Sequence, residues 1–208
     1  MLSEIQMKTL TARPWFLRHL QLQDNPVCGN ALHTERMILR PLRSRDARDF
    51  HLYARDPQVA QYVLWDTHTS LSQTRSILRG QISQSSKESL LTMAITLKEN
   101  NRMVGTIGLV WRDWQNQSAE VGFSLAADCW GQGLMTEALI AYLKFAFTQQ
   151  NIHRIEAQHD VLNPASGAVM RKAGMQEEGL LKERIYYKGR HASVVLFAAI
   201  RETWLSGH

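Results

Sequence analysis

Leu139, Tyr142, Leu143, Ala146 and Phe147 fall at i, i+3, i+4, i+7 and i+8, the apolar stripe of an amphipathic helix. Leu71, Leu78 and Ile82 share one face of a second helix that begins at about Ser70. Between these lie three strand-like runs, LLTMAITL, MVGTIGLVW and AEVGFSLA. Their links, ENNR (Glu99 to Arg102) and DWQNQ (Asp113 to Gln117), have hairpin-turn composition, which predicts an antiparallel meander. Upstream, MILRPL alternates as a strand, and Ser44 with Asp46 caps a helix that ends before Pro57. Downstream, HRIEAQHDV reads as a strand. Asn163 and Pro164 open a short helix closed by Gly174, and LLKERIYYK and ASVVLFAAI, joined at Gly189, form a terminal hairpin.

The predicted order is strand, two helices, three antiparallel strands, helix, strand, helix, two strands, an α/β pattern with a mixed sheet. Residues 1–33 stand apart as an arm or edge element, punctuated by Pro14, Pro26 and Gly29, with the cluster Trp15 to Leu17 packing on something. The main domain is expected over 34–204.

Composition narrows the class. The 208 residues are 44% hydrophobic and 21% charged, as in an ordinary globular protein. No apolar run approaches the roughly 20 residues that span a bilayer, and the early Glu4 interrupts any secretory signal, so the chain reads as cytoplasmic without a membrane role. Cys28 and Cys129 are too few for a disulfide framework or metal cluster and read as reduced, structural thiols. The net charge of +5 divides as +1 over 1–34, +2 over 35–150 and +2 over 151–208. No segment is a basic arm, which argues against nucleic acid and suits a polyanionic small ligand.

One stretch points to such a ligand. At Cys129 to Leu139 the chain reads CWGQGLMTEAL, with two glycines between a strand and a helix. Glycine there lets main-chain N–H groups approach an anion, and the helix start adds unpaired N–H groups and a partial positive charge. A dinucleotide fingerprint is excluded because Thr136 stands where the third glycine belongs, and no P-loop string exists. From the glycines alone, a simple tight turn remains the alternative.

The stretch AEVGFSLAADCWGQGLMTEAL, followed about 25 residues later by NPAS and then by RKAGMQEEG, resembles the GNAT (GCN5-related N-acetyltransferase) superfamily. It is most similar to the ribosomal-protein-alanine N-acetyltransferase group, over roughly Thr34 to Thr203. The resemblance implies a mixed sheet, splayed at its centre and flanked by helices, with acetyl-CoA as cosubstrate. By position, Gly131, Gln132, Gly133, Leu134, Met135 and Thr136 would cradle the pyrophosphate. Phe123 and Leu125 would pair through their backbone with the pantetheine arm, and Asn163 would bond its amide region. Ser166 would sit near the thioester sulfur. Arg171 and Lys172 would reach the nucleotide phosphates or simply form a solvated helix face.

Three positions depart from the family pattern. Met135 stands where glycine or alanine is usual, and Met170 replaces the tyrosine that protonates the departing thiolate in many members, leaving Ser166 as the acid. Ser193 replaces an aspartate of the last strand that serves peptide-end recognition. An α-amino group, with pKa near 7.7 to 8.0, needs only a modest base or a water chain. Glu120 is the first candidate base, ahead of His159 and Asp160; a structural carboxylate or a structural histidine is the alternative. Leu125 or a neighbour offers the N–H that polarises the thioester carbonyl. Tyr186 and Tyr187 face opposite ways, one toward substrate, with core packing as the reading for either.

The expected activity is direct acetyl transfer to a primary amine in a ternary complex, without metal, by a monomer or homodimer. A protein N-terminal alanine is the first acceptor. A small amine such as a polyamine or antibiotic is the alternative, discriminated by an acidic pocket, and a non-catalytic acyl-CoA sensor is the reading from another class.

Overall fold

The computed structural model describes residues 31–88 and 91–208. The expected elements are present. Met37–Pro41 forms β2, Ala47–Ala54 forms α1, Leu71–Glu88 forms α3, and β3 (Met93–Leu97), β4 (Met103–Asp113) and β5 (Ser118–Leu125) form the meander. Then follow α4 (Leu134–Gln149), β6 (Arg154–Asp160), α5 (Pro164–Lys172), β7 (Gln176–Tyr187) and β8 (Arg190–Ile200). Edge strand β1 (Leu32–His33) lies in the stretch expected as an arm or edge element, whereas the short helices α2 (Pro57–Ala60) and α6 (Arg201–Ser206) were not anticipated. In α2 Asp56 accepts from Gln58 N–H at 2.9 Å and Pro57 takes the first helical position, so the proline starts a helix as well as following one. Trp15 to Leu17 and Cys28 lie outside the described residues.

The strands form one open sheet in the order β1-β2-β3-β4-β5-β6-β8-β7, flanked by helices. All neighbours are antiparallel except β5 and β6. That parallel pair is short: Ser118, Ala119 and Glu120 face Arg154, Ile155 and Glu156, and the ladder then stops although both strands continue. The sheet therefore parts at its centre beyond Glu120. Two edges left unpaired inside a protein expose main-chain donors and acceptors that need partners.

Helix α4 fixes one side of that gap. Leu139, Tyr142, Leu143 and Ala146 are fully buried and Phe147 nearly so, as the stripe predicts. Leu134, Met135, Ala138 and Phe145 are buried beside the stripe, so the helix presents a wider face to the core than the stripe alone, with Leu78 of α3 and Met37, Leu39 and Ile95 of the sheet in the same core. Burying side chains of this size contributes roughly 1.5–3 kcal/mol each. Among the described residues no helix is long and apolar enough to cross a membrane.

Candidate functional site

Beyond the parting, a cavity of about 560 Å³ opens between β5, the loop into α4, and α5, with α2 and the residues after it on the remaining side. Phe123, Leu125, Gly131, Gly133, Leu134, Met135, Thr136, Asn163 and Ser166 all line it. The register explains the part played by β5. Ala126 N–H donates to the Val104 carbonyl at 2.7 Å, which directs the main-chain groups of Ala126, Ser124 and Gly122 toward β4. Those of Phe123 and Leu125 consequently face the gap. The Leu125 carbonyl is already used, since the indole N–H of half-exposed Trp130 donates to it at 2.8 Å.

The glycine loop is backbone-determined. Gly131 has φ +73° and Gly133 φ +76°, values an ordinary side chain avoids. A Cβ at Gly131 would meet nothing within 4 Å, and at Gly133 only the Arg36 Nη2 at 3.6 Å. Dihedral freedom, not lack of space, requires glycine here. Gly133 is the N-cap of α4, so the unpaired N–H groups of the first turn lie at the cavity. The Gln132 side chain does not line the cavity; its amide donates to the Asp128 carbonyl at 2.9 Å.

Asn163 caps α5 through its side-chain oxygen, which accepts from Ser166 N–H at 3.4 Å, and the Ser166 hydroxyl has no partner among the described residues. Lys172 lines the cavity, whereas Arg171 pairs with Glu177 at 3.0 Å in the open. Met170 is core.

The base candidates lie outside the cavity lining. Glu120 stands at the fork itself, where its carboxylate accepts from Trp111 Nε1 at 2.7 Å and from Gln158 Nε2 at 3.0 Å. His159 packs under α5, with its Nδ1 on the Asp160 carbonyl at 2.8 Å and its ring 5.8 Å from that of Phe197. A Cβ at Gly167 would come within 2.5 Å of His159 Nε2, so this histidine fills the space beneath the helix. Asp160 is buried and accepts from the Tyr187 hydroxyl at 2.5 Å, from Leu162 N–H at 2.9 Å and from Arg190. Burial alone would raise its pKa, but these three donors hold the carboxylate below the ordinary range. Burial and the adjacent Asp160 charge push Tyr187 up to about 12. Tyr186, expected in the core, is instead 67% exposed beside His191. Ser193 serves the sheet, its hydroxyl accepting from Glu183 N–H at 3.0 Å where β7 bulges. Cys129 is buried and in no disulfide among the described residues, its Sγ accepts from Arg102 Nη2 at 3.4 Å, and burial raises its pKa.

Residues 36–176 match the acetyltransferase (GNAT) domain family. The chain belongs to that family. Its fold and its enzyme class, an acyl-CoA-dependent N-acetyltransferase, follow from this membership. An uncharacterized N-acetyltransferase p20 of Bacillus licheniformis is 31% identical over 173 residues, covering 83% of this chain and 97% of that protein. The [ribosomal protein uS5]-alanine N-acetyltransferase of Escherichia coli is 33% identical over 87 residues, which are 42% of this chain and 45% of that enzyme. Among solved structures, Mycobacterium smegmatis RimJ in complex with CoA-disulfide is 26% identical with a TM-score of 0.75, covering 84% of this chain and 88% of that one.

Sequence reading missed three parts of this GNAT site. Gln58, Gln61 and Tyr62 line the cavity from α2 and beyond, and the signal for them was Asp56-Pro57 as cap and first helical residue. The bond from the Trp130 indole to the Leu125 carbonyl joins a loop to a strand, which no local pattern signals. The tether from Arg36 to Glu137 joins residues 101 positions apart, which no local pattern announces.

Proposed function

We propose that this GNAT enzyme transfers the acetyl group of acetyl-CoA to a protein N-terminal α-amine, the thioester lying in the gap between β5 and β6. The observation that carries this reading is the cavity at the parted strands. It offers the main-chain edge of Phe123 and Leu125 to an extended arm and the Gly131–Gly133 loop with the start of α4 to a pyrophosphate. A mostly apolar gap that also carries a glycine loop fits that cosubstrate. The proposed catalytic unit is the expected 34–204 together with the edge strand Leu32–His33 and the end of α6, and the proposed compartment is the cytoplasm.

In the transfer, the amine nitrogen forms the amide bond while the carbon–sulfur bond breaks. The Leu125 N–H faces the gap and stabilises the carbonyl oxygen as it gains charge. The Ser166 hydroxyl, without another partner, gives the leaving sulfur its proton. The amine loses its proton through solvent to Glu120, at the base of the fork; His159 is engaged structurally and is set aside. The acceptor class rests on the partial match to an alanine N-acetyltransferase. A peptide N-terminus presents one amine on a neutral chain.

The test is thiol release from acetyl-CoA with peptides beginning with Ala, Ser and Met, compared with spermidine, for the wild type and Ser166→Ala. Turnover on a peptide, lowered about 100-fold in kcat by the substitution, is the expected result. Faster turnover on spermidine, or binding of acetyl-CoA with no turnover on either class, would overturn the acceptor or the catalytic reading respectively.

A further inference from the structure

Arg36, at the end of the chain segment entering β2, reaches the glycine loop from almost a hundred residues away. Its Nη1 donates to the Gln132 carbonyl at 2.8 Å, its Nε to Glu137 Oε2 at 2.7 Å, and its own main-chain N–H to Glu137 Oε1 at 2.9 Å. Arg102 also reaches this loop, but ahead of the glycines, at Asp128 (2.7 Å) and Cys129 (3.4 Å), and the bond from Gln132 to Asp128 is local. Glu137 lies in the first turn of α4, and its N–H closes the first helical bond onto Gly133 at 3.1 Å. One guanidinium thus joins β2, the loop and the helix start.

We infer that Arg36 is the positioning residue that makes the glycine loop an anion site, by fixing the Gln132–Gly133 peptide plane and by neutralising Glu137. A trans peptide points its C=O and N–H in opposite directions. With the Gln132 carbonyl turned to Arg36, which does not line the cavity, the Gly133 N–H turns to the cavity side. Glycine at φ +76° can let that plane rotate at low cost, and a rotated plane would present a carbonyl oxygen to the anion. The second effect is electrostatic. A carboxylate in the first turn beside the site repels a pyrophosphate unless it is paired, and Arg36 pairs it with an N–H and a guanidinium together. Burial alone would raise the Glu137 pKa, yet the bonds from Thr34 and Arg36 hold it below the usual range, so it is charged at neutral pH.

The inference rests on the acetyl-CoA reading above, and its test separates the two. CoA binding is measured by calorimetry for the wild type, Arg36→Ala, Arg36→Lys and Arg36→Ala/Glu137→Gln, with acetyl-CoA and S-acetylpantetheine compared as donors. The second donor lacks the pyrophosphate. Arg36→Ala is expected to weaken CoA about tenfold or more and to lower the preference for acetyl-CoA over S-acetylpantetheine by a similar factor. Arg36→Lys, a point charge without the fork, recovers part of the loss, and so does removing the Glu137 charge in the double variant. Unchanged CoA affinity in Arg36→Ala, or an equal loss on both donors as from a general fold defect, overturns the positioning role. A wild type that binds no CoA overturns the reading beneath it instead.

Discussion

Replacing Gly133 with alanine separates dihedral strain from steric obstruction. The residue sits at φ +76° and ψ 1° as N-cap of α4. The added Cβ meets only the terminal Nη2 of Arg36 at 3.6 Å, an ordinary van der Waals distance. No clash term enters. What remains is the cost of holding an L-residue in the left-handed region, roughly 1–2 kcal/mol. In a protein of this size each kcal/mol moves the melting temperature by about 2–4 °C, so Gly133→Ala should melt about 2–8 °C below the wild type. Asparagine tolerates this region better, so Gly133→Asn should lose less. Scanning calorimetry gives the stabilities, and the KM for acetyl-CoA shows whether the loop escapes strain by rotating its peptide, which would raise KM while leaving kcat nearly unchanged. Gly133→Ala melting with the wild type, or Gly133→Asn melting below Gly133→Ala, would refute the dihedral reasoning.

Three further outcomes follow from particular contacts. Glu120→Gln should lower kcat about 100-fold if this carboxylate takes the amine proton, while disturbing the bonds from Trp111 and Gln158 costs only about 1 kcal/mol in a melt; unchanged kcat would make it structural. Gly80→Ala, on an exposed helical position of α3 with nothing within 4 Å of the new Cβ, should raise the melting temperature by about 1–4 °C, and a fall would contradict the helix assignment. Tyr187 has a folded pKa raised from 10.0 to about 12, so it contributes stability fully below pH 10 that is lost as pH climbs through 12. Tyr187→Phe should flatten denaturation midpoints over that window, and an unaltered alkaline slope would contradict the Asp160–Tyr187 pairing.

The elements that were legible in the sequence are those specified by their own residues. The α4 stripe is periodic enough to fix both helix and buried face, and Asn163-Pro164 announces the start of α5 through its cap. The glycine loop was legible as a backbone feature, but from the glycines alone a tight turn stood beside an anion site, and the family resemblance decided between them. The parting of β5 from β6 was not, since both strands continue past it and nothing in Val121–Leu125 or Ala157–Asp160 marks where pairing ends; only the family resemblance implied it. Tyr186 and Tyr187 alternate as a strand requires, but which face is covered depends on Asp160 and Arg190 from other strands. Nothing in the sequence singles out Arg36, because its partners lie on a loop and helix encoded far along the chain.

The central claim is that the gap between β5 and β6 holds acetyl-CoA. A crystal structure of the protein with CoA tests it most directly. The account predicts a pantetheine arm along β5 bonded to the main chain of Phe123 and Leu125, with the pyrophosphate on the N–H groups of the Gly131–Gly133 loop and the first turn of α4. CoA bound elsewhere on the protein, or in the gap with its phosphates away from that loop, would contradict it.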